Sequence, residues 1–472
     1  MPRLATALYD RLPMPARQAA VAWAGLRNSR LRYGNTYRQT LQLLEASEYW
    51  NVQRMRELQQ RQLLHLLQEA KTGTTYYADH LAGLSPQDLA DAAASLALNE
   101  LPLLEKTTLK ANTAAFRNSN RRTTAVSSTS GSTGSPLFTE IDAESMQISF
   151  AFMHRHRMWA TLPALARSVR LSGRLLMPSS RSKPPFWLLN PAERQLLVST
   201  YHLRDDLLPS IVARIRQFRP QVIDGYPTAI RLVAEHCRRT NTSLPSLQAA
   251  ITTAETLTPD MRAAITEGLQ VKLLDYYSAS EGVPFVQECE HGSYHVRPES
   301  GIIEILNPDG TAANPGEIGE IVATSFRQWK VPLIRYRTGD MAEVASHQDK
   351  RCKCGRTLPF LARIHGRLED LVFARDGRWI GMFSYRTLKH VTGVREAQIV
   401  QTAPDRFRLR LSLDGAAPRS SVEQQAHRVF SDVLGYAAHV SFEYVASIPR
   451  GANGKFRAVI RDFQPPGETY TT

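Results

Sequence analysis

Hydrophobic residues recur every three or four positions between residues 47 and 70, at Val52, Met55, Leu58, Leu63, Leu66 and Leu67, with Arg, Gln and Glu between them. That spacing predicts an amphipathic helix whose apolar stripe packs on the body of the protein. From about Leu101 to Ile364, short β-branched runs alternate with helical patterns, which predicts an α/β fold. In the clearest unit, a strand at Ala249 to Ile251 runs into Thr252-Thr253-Ala254-Glu255. Thr258-Pro259-Asp260 then has the chemistry of a helix start, and the helix runs to about Leu269 before a second strand at Val271 to Leu274. Ligands of open α/β sheets bind beyond the carboxyl ends of strands, so Glu255 and the Ser278, Ser280 and Glu281 loop are expected to face one site. After Gly366 the texture changes. Phe407, Leu409, Leu411 and Leu413 alternate with polar residues, 421–434 reads as a helix, and His439 to Tyr444 alternates again. These elements predict an α+β module of roughly a hundred residues. The chain is therefore expected to divide into 1–44, 45–366 and 367–472.

Composition narrows the class. The chain has 472 residues, 43% hydrophobic, and a net charge of +14. So long and apolar a chain can bury a large core, which excludes a disordered tail or a disulfide-stapled miniprotein. Residues 1–44 contain seven Arg against Asp10 alone, so this basic N-terminal arm carries +6 of the total. A basic surface attracts nucleic acid, anionic lipid, coenzyme A, nucleotides or an acidic carrier protein, and is equally consistent with a solvated arm. No apolar run is long enough for a transmembrane segment. Ala19 to Leu26 is too short for a signal peptide and lacks a cleavage site. The 4 Cys suit a reducing, cytoplasmic setting better than disulfides.

The chemistry begins at Ser127 to Pro136, a loop of hydroxyls and glycines that admits close approach of an anion to backbone N–H groups. It lacks the Gly-Lys-Ser/Thr of a Walker A loop, and a flexible linker has the same composition. Four more motifs follow in order: Tyr277-Ser278-Ala279-Ser280-Glu281, Tyr336-Arg337-Thr338-Gly339-Asp340, Gly366-Arg367-Leu368-Glu369-Asp370, and Pro449-Arg450-Gly451-Ala452-Asn453-Gly454-Lys455. With them the chain resembles the adenylate-forming superfamily of acyl-CoA synthetases, peptide-synthetase adenylation domains and luciferases. Lys183-Pro184-Pro185-Phe186-Trp187, Asn190-Pro191-Ala192-Glu193-Arg194, Asp224-Gly225-Tyr226-Pro227 and Cys352-Lys353-Cys354-Gly355-Arg356 resemble the phenylacetate-CoA ligase group and its CapK-type relatives.

The resemblance implies a large multi-layer α/β domain followed by a small mobile α+β domain, and an ATP-dependent adenylation of a carboxylic acid with release of pyrophosphate. It implies that Ser128, Thr129, Ser130, Gly131, Ser132, Thr133 and Gly134 cradle the phosphates, with Glu255, Ser278 and Ser280 also at the nucleotide. Glu281 would ligate Mg²⁺, Tyr277 would stack near the adenine, and Asp340 would accept from both ribose hydroxyls. Arg367 would approach the phosphates or ribose, and Lys455 would stabilise charge at the α-phosphate. Glu369 or Asp370 would be the hinge, and Phe152, Tyr226 and Thr253 would line the acyl pocket. The acceptor is expected to be a thiol, either of coenzyme A or of a phosphopantetheinyl carrier protein, or else an amine or hydroxyl. A nucleotide-binding regulatory protein without catalysis is the reading from another class, and no nucleic-acid module is recognisable.

Three positions depart from the family pattern. Leu137 stands where Lys is frequent, Ser278 replaces a Gly, and Leu371 to Ile380 lacks the usual Lys-x-x-Gly. Cys289, Cys352, Cys354 and either His295 or His291 form a candidate Cys₃His set for structural zinc, with reduced, metal-free thiols as the alternative.

Overall fold

A computed structural model describes residues 12–96, 98–128, 137–173, 176–178, 181–346, 351–367, 371–376, 379–380, 383–388, 391–414, 417–449 and 456–463. Helices α1 (Met14–Arg32), α2 (Asn35–Ser47) and α3 (Val52–Gly73) open the chain. The apolar positions Val52 to Leu67 all fall in α3, which Asn51 caps by accepting the Arg54 N–H at 2.8 Å. From Met14 onward the basic segment forms α1 and most of α2, and Arg17 and Arg32 of α1 fasten it to the body. Arg17 is buried and donates to the carbonyls of Leu12 and Leu176, and Arg32 pairs with Glu193.

A short helix α4 (Lys106–Ala111) precedes the hairpin of β1 (Ala125–Ser128) and β2 (Phe138–Ile141), and helix α5 (Ala143–Trp159) follows. The hydroxyl-rich loop thus joins two paired strands of one hairpin, which is not the position of an interdomain linker.

The main sheet is built from β3 (Ser168–Ser172), β4 (Trp187–Asn190), β5 (Gln195–Ser199), β6 (Val222–Gly225), β7 (Ala249–Thr253) and β8 (Lys272–Tyr277). It continues through β9 (Val286–Glu288), β10 (Tyr294–Val296), β11 (Gly301–Leu306), β12 (Ile318–Ser325), β13 (Tyr336–Val344) and β14 (Phe360–Arg367). Among the described residues these twelve strands lie in the order β11-β12-β13-β14-β10-β9-β8-β7-β6-β3-β5-β4. Strands β5-β3-β6-β7-β8 run parallel, and the flanking pairs are antiparallel. Parallel strands need covered faces. Helices α6 (Leu208–Phe218), α7 (Pro227–Arg239) and α8 (Pro259–Leu269) supply part of that cover through one cluster with Val169, Ile211, Ile223, Val233 and Ile265. The strand–helix–strand unit expected around residues 249 to 274 is β7-α8-β8, with Thr258 capping α8 through the Met261 N–H.

Past β14, a short two-stranded sheet pairs β15 (Val372–Phe373) with β16 (Trp379–Ile380). It precedes a four-stranded sheet in the order β19-β18-β17-β20, formed by β17 (Val394–Ala403), β18 (Arg406–Leu413), β19 (His439–Tyr444) and β20 (Val459–Arg461). Helix α9 (Arg419–Leu434) packs on it through Val422, Ala426 and Phe430, against Phe407, Leu409 and Leu411. The strictly alternating residues of 406–413 are the inner face of β18, since period two places alternate side chains on one side of a sheet.

Candidate active site

Parallel strands β6, β7 and β8 end on one edge of the sheet, and the polar residues after them converge there. Ala254 turns the chain after β7 with a φ of 69°, which brings Glu255 to the start of α7. Its Oε2 accepts from the Thr228 N–H (3.2 Å) and hydroxyl (2.7 Å). Its Oε1 accepts the N–H of Phe456 at 3.4 Å. Phe456 belongs to the C-terminal segment and directly follows Lys455, so the chain next to that lysine is seated on the β7 loop.

After β8, Tyr277 donates its hydroxyl to Asp340 Oδ2 at 2.8 Å. Arg367 Nε pairs with Asp340 Oδ1 at 2.8 Å, because Asp340 and Arg367 are register partners across β13 and β14. Both Asp340 oxygens are thus engaged by protein donors at the position expected to take ribose hydroxyls. Burial, with the Asp340 charge beside it, holds the Tyr277 phenol well above the usual tyrosine range, so it is a neutral donor.

Glu281 is buried, and its Oε1 accepts from Lys106 Nζ at 3.1 Å and the Tyr336 hydroxyl at 3.2 Å. Among the described residues no donor reaches Oε2. Burial and then the Glu281 charge raise the Tyr336 phenol far above its ordinary value, so the carboxylate faces one cation and one neutral hydroxyl. Neither Lys106 nor Tyr336 was singled out from the sequence for this role. Tyr336 lay inside a motif, whereas Lys106 carried no motif signal and is 175 positions from Glu281. Ser278 accepts a 2.6 Å hydrogen bond from Arg327, which also lay outside every motif.

Of the remaining expected site residues, Tyr226, Thr253 and Ser280 lie at or just past the ends of β6, β7 and β8. Phe152 is buried, stacked on Phe285 with centroids 5.2 Å apart, so its ring belongs to the core. Thr253 is buried at the end of β7, and Tyr226 is half-buried at the cap of α7. Ser128 pairs with Phe138 through the strand register. Ser280 stands in the turn between Tyr277 and Glu281. Thr129 to Gly134, Glu369, Asp370 and Lys455 lie outside the described residues.

The cysteines form a separate centre. Ligand atoms of Cys289, His295, Cys352 and Cys354 all lie within 4.8 Å of one another. Sγ of Cys289 and Cys352 are 3.6 Å apart, and Cys354 Sγ is 3.3 Å from His295 Nε2. The edge of a tetrahedron with Zn–S of 2.3 Å is about 3.8 Å, so the spacing fits a closed tetrahedral site. His295 Nδ1 lies 3.1 Å from the Leu358 carbonyl; donating there fixes the tautomer that leaves Nε2 free to bind a metal. The geometry selects His295, while His291 is exposed outside the cluster. Arg356, two residues on, reaches the fully buried Glu48 at 3.2 Å. Glu48 also holds Arg155 and Trp159 of α5. The cysteine loop is thereby tied to α5, and β14 leads from it to Arg367.

Residues 374–462 match a family model described as the CapK C-terminal domain. Over 467 residues the sequence is 24% identical to Protein CapK of Staphylococcus aureus, covering 97% of this chain and 99% of that one. The chain is thus similar to Protein CapK along nearly its whole length. This CapK-like chain is also 33% identical to a phenylacetate-coenzyme A ligase of Thermus thermophilus over 171 residues, 35% of this chain and 38% of that enzyme. The crystal structure of 2-hydroxyisobutyryl-CoA ligase in the postadenylation state with R3-HIB-AMP superposes with a TM-score of 0.68 at 21% identity, covering 88% and 91% of the two chains. The same ligase in its thioesterification state gives 0.54 over the same shares. No helix among the described residues is long and apolar enough to cross a membrane.

Proposed function

We propose that the CapK-like chain is an AMP-forming ligase that activates a small carboxylic acid with ATP and passes the acyl group to a thiol of coenzyme A or a phosphopantetheinyl carrier protein. One arrangement carries this reading: Glu281 and Asp340 are held by the ends of neighbouring elements, ringed by Lys106, Tyr336, Tyr277 and Arg367. A substrate carboxylate oxygen attacks the α-phosphorus, the bond to pyrophosphate breaks, and an acyl adenylate forms. The thiolate then attacks the acyl carbonyl and AMP leaves. Nucleophile and target are both anionic in the first step, so catalysis is mostly positioning and charge neutralisation.

In this reading the loop 129–134 holds the phosphates and Lys455 meets the α-phosphate. Asp340 exchanges the Tyr277 and Arg367 donors for ribose hydroxyls. Glu281 has the hard oxygen ligand that Mg²⁺ prefers, with Oε2 unengaged among the described residues. When bound, the ion would neutralise triphosphate charge. Lys106 supplies a cation on the same carboxylate and so fixes its orientation. Glu369 and Asp370 act as the hinge between 45–366 and 367–472, and Tyr226 and Thr253 border the acid. Cys289, His295, Cys352 and Cys354 hold a structural zinc, consistent with a reducing cytoplasm.

The reading of a non-catalytic nucleotide binder accounts for Asp340 but not for a lysine and a tyrosine spent on orienting Glu281. ATP/pyrophosphate exchange across a panel of carboxylic acids tests the adenylation step. Adding coenzyme A, carrier proteins, amines or alcohols then identifies the acceptor, an amide or ester product replacing the thioester reading.

A further inference from the structure

Among the described residues, Arg327 is a buried cation without an anion. It is 6% exposed, and among the described residues it pairs with no carboxylate. Its Nε donates to the Val283 carbonyl (2.7 Å), and its two terminal nitrogens donate to Ser149 (2.6 Å) and Ser278 (2.6 Å). Its carbon lies 4.2 Å from the centre of the Phe285 ring. All these partners are neutral. A guanidinium has five N–H donors, and three are spent here. Burial with no opposing charge pushes its pKa below the arginine range. Removing an unpaired charge from water is costly, and it persists where something anionic compensates.

The position of Arg327 indicates which anion. Ser149, Met153 and Arg157 stand four residues apart on α5, so they form one stripe of the helix. Ser149 meets Arg327, Met153 meets the Tyr276 hydroxyl of β8 at 3.8 Å, and Arg157 meets Asp224 at the end of β6 at 2.7 Å. Asp224 is shared with Arg170 of β3 at 2.9 Å. The stripe therefore has an apolar middle and three arginines against one carboxylate. Lys106, Tyr336 and Arg367 instead serve Glu281 and Asp340, on the nucleotide side.

We propose that Arg327 is a specificity-determining residue of the acid site, and that the acid activated carries a second anionic group, which this guanidinium neutralises. The inference rests on the adenylation reading and specifies its substrate class. The second group takes no part in bond making; it is held while the first carboxylate attacks the α-phosphorus.

The test compares ATP/pyrophosphate exchange for matched pairs: succinate with butyrate, adipate with hexanoate, and 4-carboxyphenylacetate with phenylacetate. The expected diacid-to-monoacid ratio of kcat/KM is about 10 to 100 in the unmodified protein, the value of one charge-assisted hydrogen bond. In Arg327→Gln the ratio falls to about 1 through KM for the diacid, with KM for ATP unmoved, while Arg327→Lys keeps most of it. If Arg327→Gln does not fold, the unmodified ratio and the lysine variant still decide. A ratio at or below one with active monoacids overturns this inference alone, as does an unchanged ratio in Arg327→Gln or a change confined to KM for ATP. Exchange with no acid at all overturns the adenylation reading and this inference with it.

Discussion

Glu281 and Lys106 show what single residues contribute. The carboxylate is buried and its Oε1 is shared between Lys106 and Tyr336, so removing the lysine leaves a buried anion with one neutral donor. Lys106→Met is expected to lower the exchange rate about 10- to 100-fold while the protein stays folded, because a half-exposed lysine is lost from an oriented charge pair. Unchanged exchange in Lys106→Met would remove Lys106 from the site. Glu281, Asp340 and Arg367 are named from the sequence through the motifs of the family resemblance, and the folded chain sets Asp340 against Tyr277 and Arg367. Lys106 and Arg327 were not legible in the sequence, because their partners lie 175 and 49 positions away and only the closed sheet brings them together. Phe152 is named for the acyl pocket by resemblance, and its ring is stacked on Phe285, an arrangement no local pattern encodes.

Among elements, β7-α8-β8 and β18 followed closely from periodicity and capping, since each satisfies its own local pattern. The break between α2 and α3 did not. The apolar spacing starts only after it, at Val52, while Glu48 turns inward to Arg155, Trp159 and Arg356, partners 107 to 308 positions distant. The packing of α2 on α5 also carries a pH signal. His154 is buried and lies 2.9 Å from the Tyr37 hydroxyl. Burial first, then Arg157 and Arg32, depress its pKa from 6.5 to about 3. A neutral ring in the folded state contributes its stability above pH 6.5, and this is lost as pH falls from there toward 3. The loss is at most about 1.4 kcal/mol per pH unit. Urea midpoints at pH 7 and pH 5 should therefore differ less in His154→Phe than in the unmodified protein; an equal difference would rule out this histidine as a source. The cysteine loop gives a further expectation. One zinc per chain should be found by elemental analysis, and Cys352→Ser with Cys354→Ser should abolish it and lower Tm by more than about 5 °C. A metal-free protein of unchanged Tm would leave the four side chains as reduced thiols and an unmetallated imidazole.

For the molecule as a whole, the net charge of +14 is spent unevenly. Part of the N-terminal excess is structural, since Arg17 and Arg32 fasten α1 to the body. Inside, Arg157 and Arg170 share Asp224, while Arg327 meets Ser149 further along α5. The hydrogen bond from Phe456 to Glu255 joins the small C-terminal sheet to the end of β7, which is where a lysine preceding Phe456 would have to come to reach a nucleotide. The fold class was legible because ordered motifs and a change in periodicity at Gly366 mark it, whereas the meeting of the C-terminal segment with Glu255 is a tertiary contact 201 positions long that no local pattern encodes. That this meeting serves adenylation is tested by pyrophosphate exchange driven by a panel of mono- and dicarboxylic acids, with Lys455→Ala measured in parallel. At least one acid should drive exchange, and the alanine variant should lose about 100-fold or more in rate. An enzyme silent with every acid, or a fully active Lys455→Ala, would exclude adenylation through this contact.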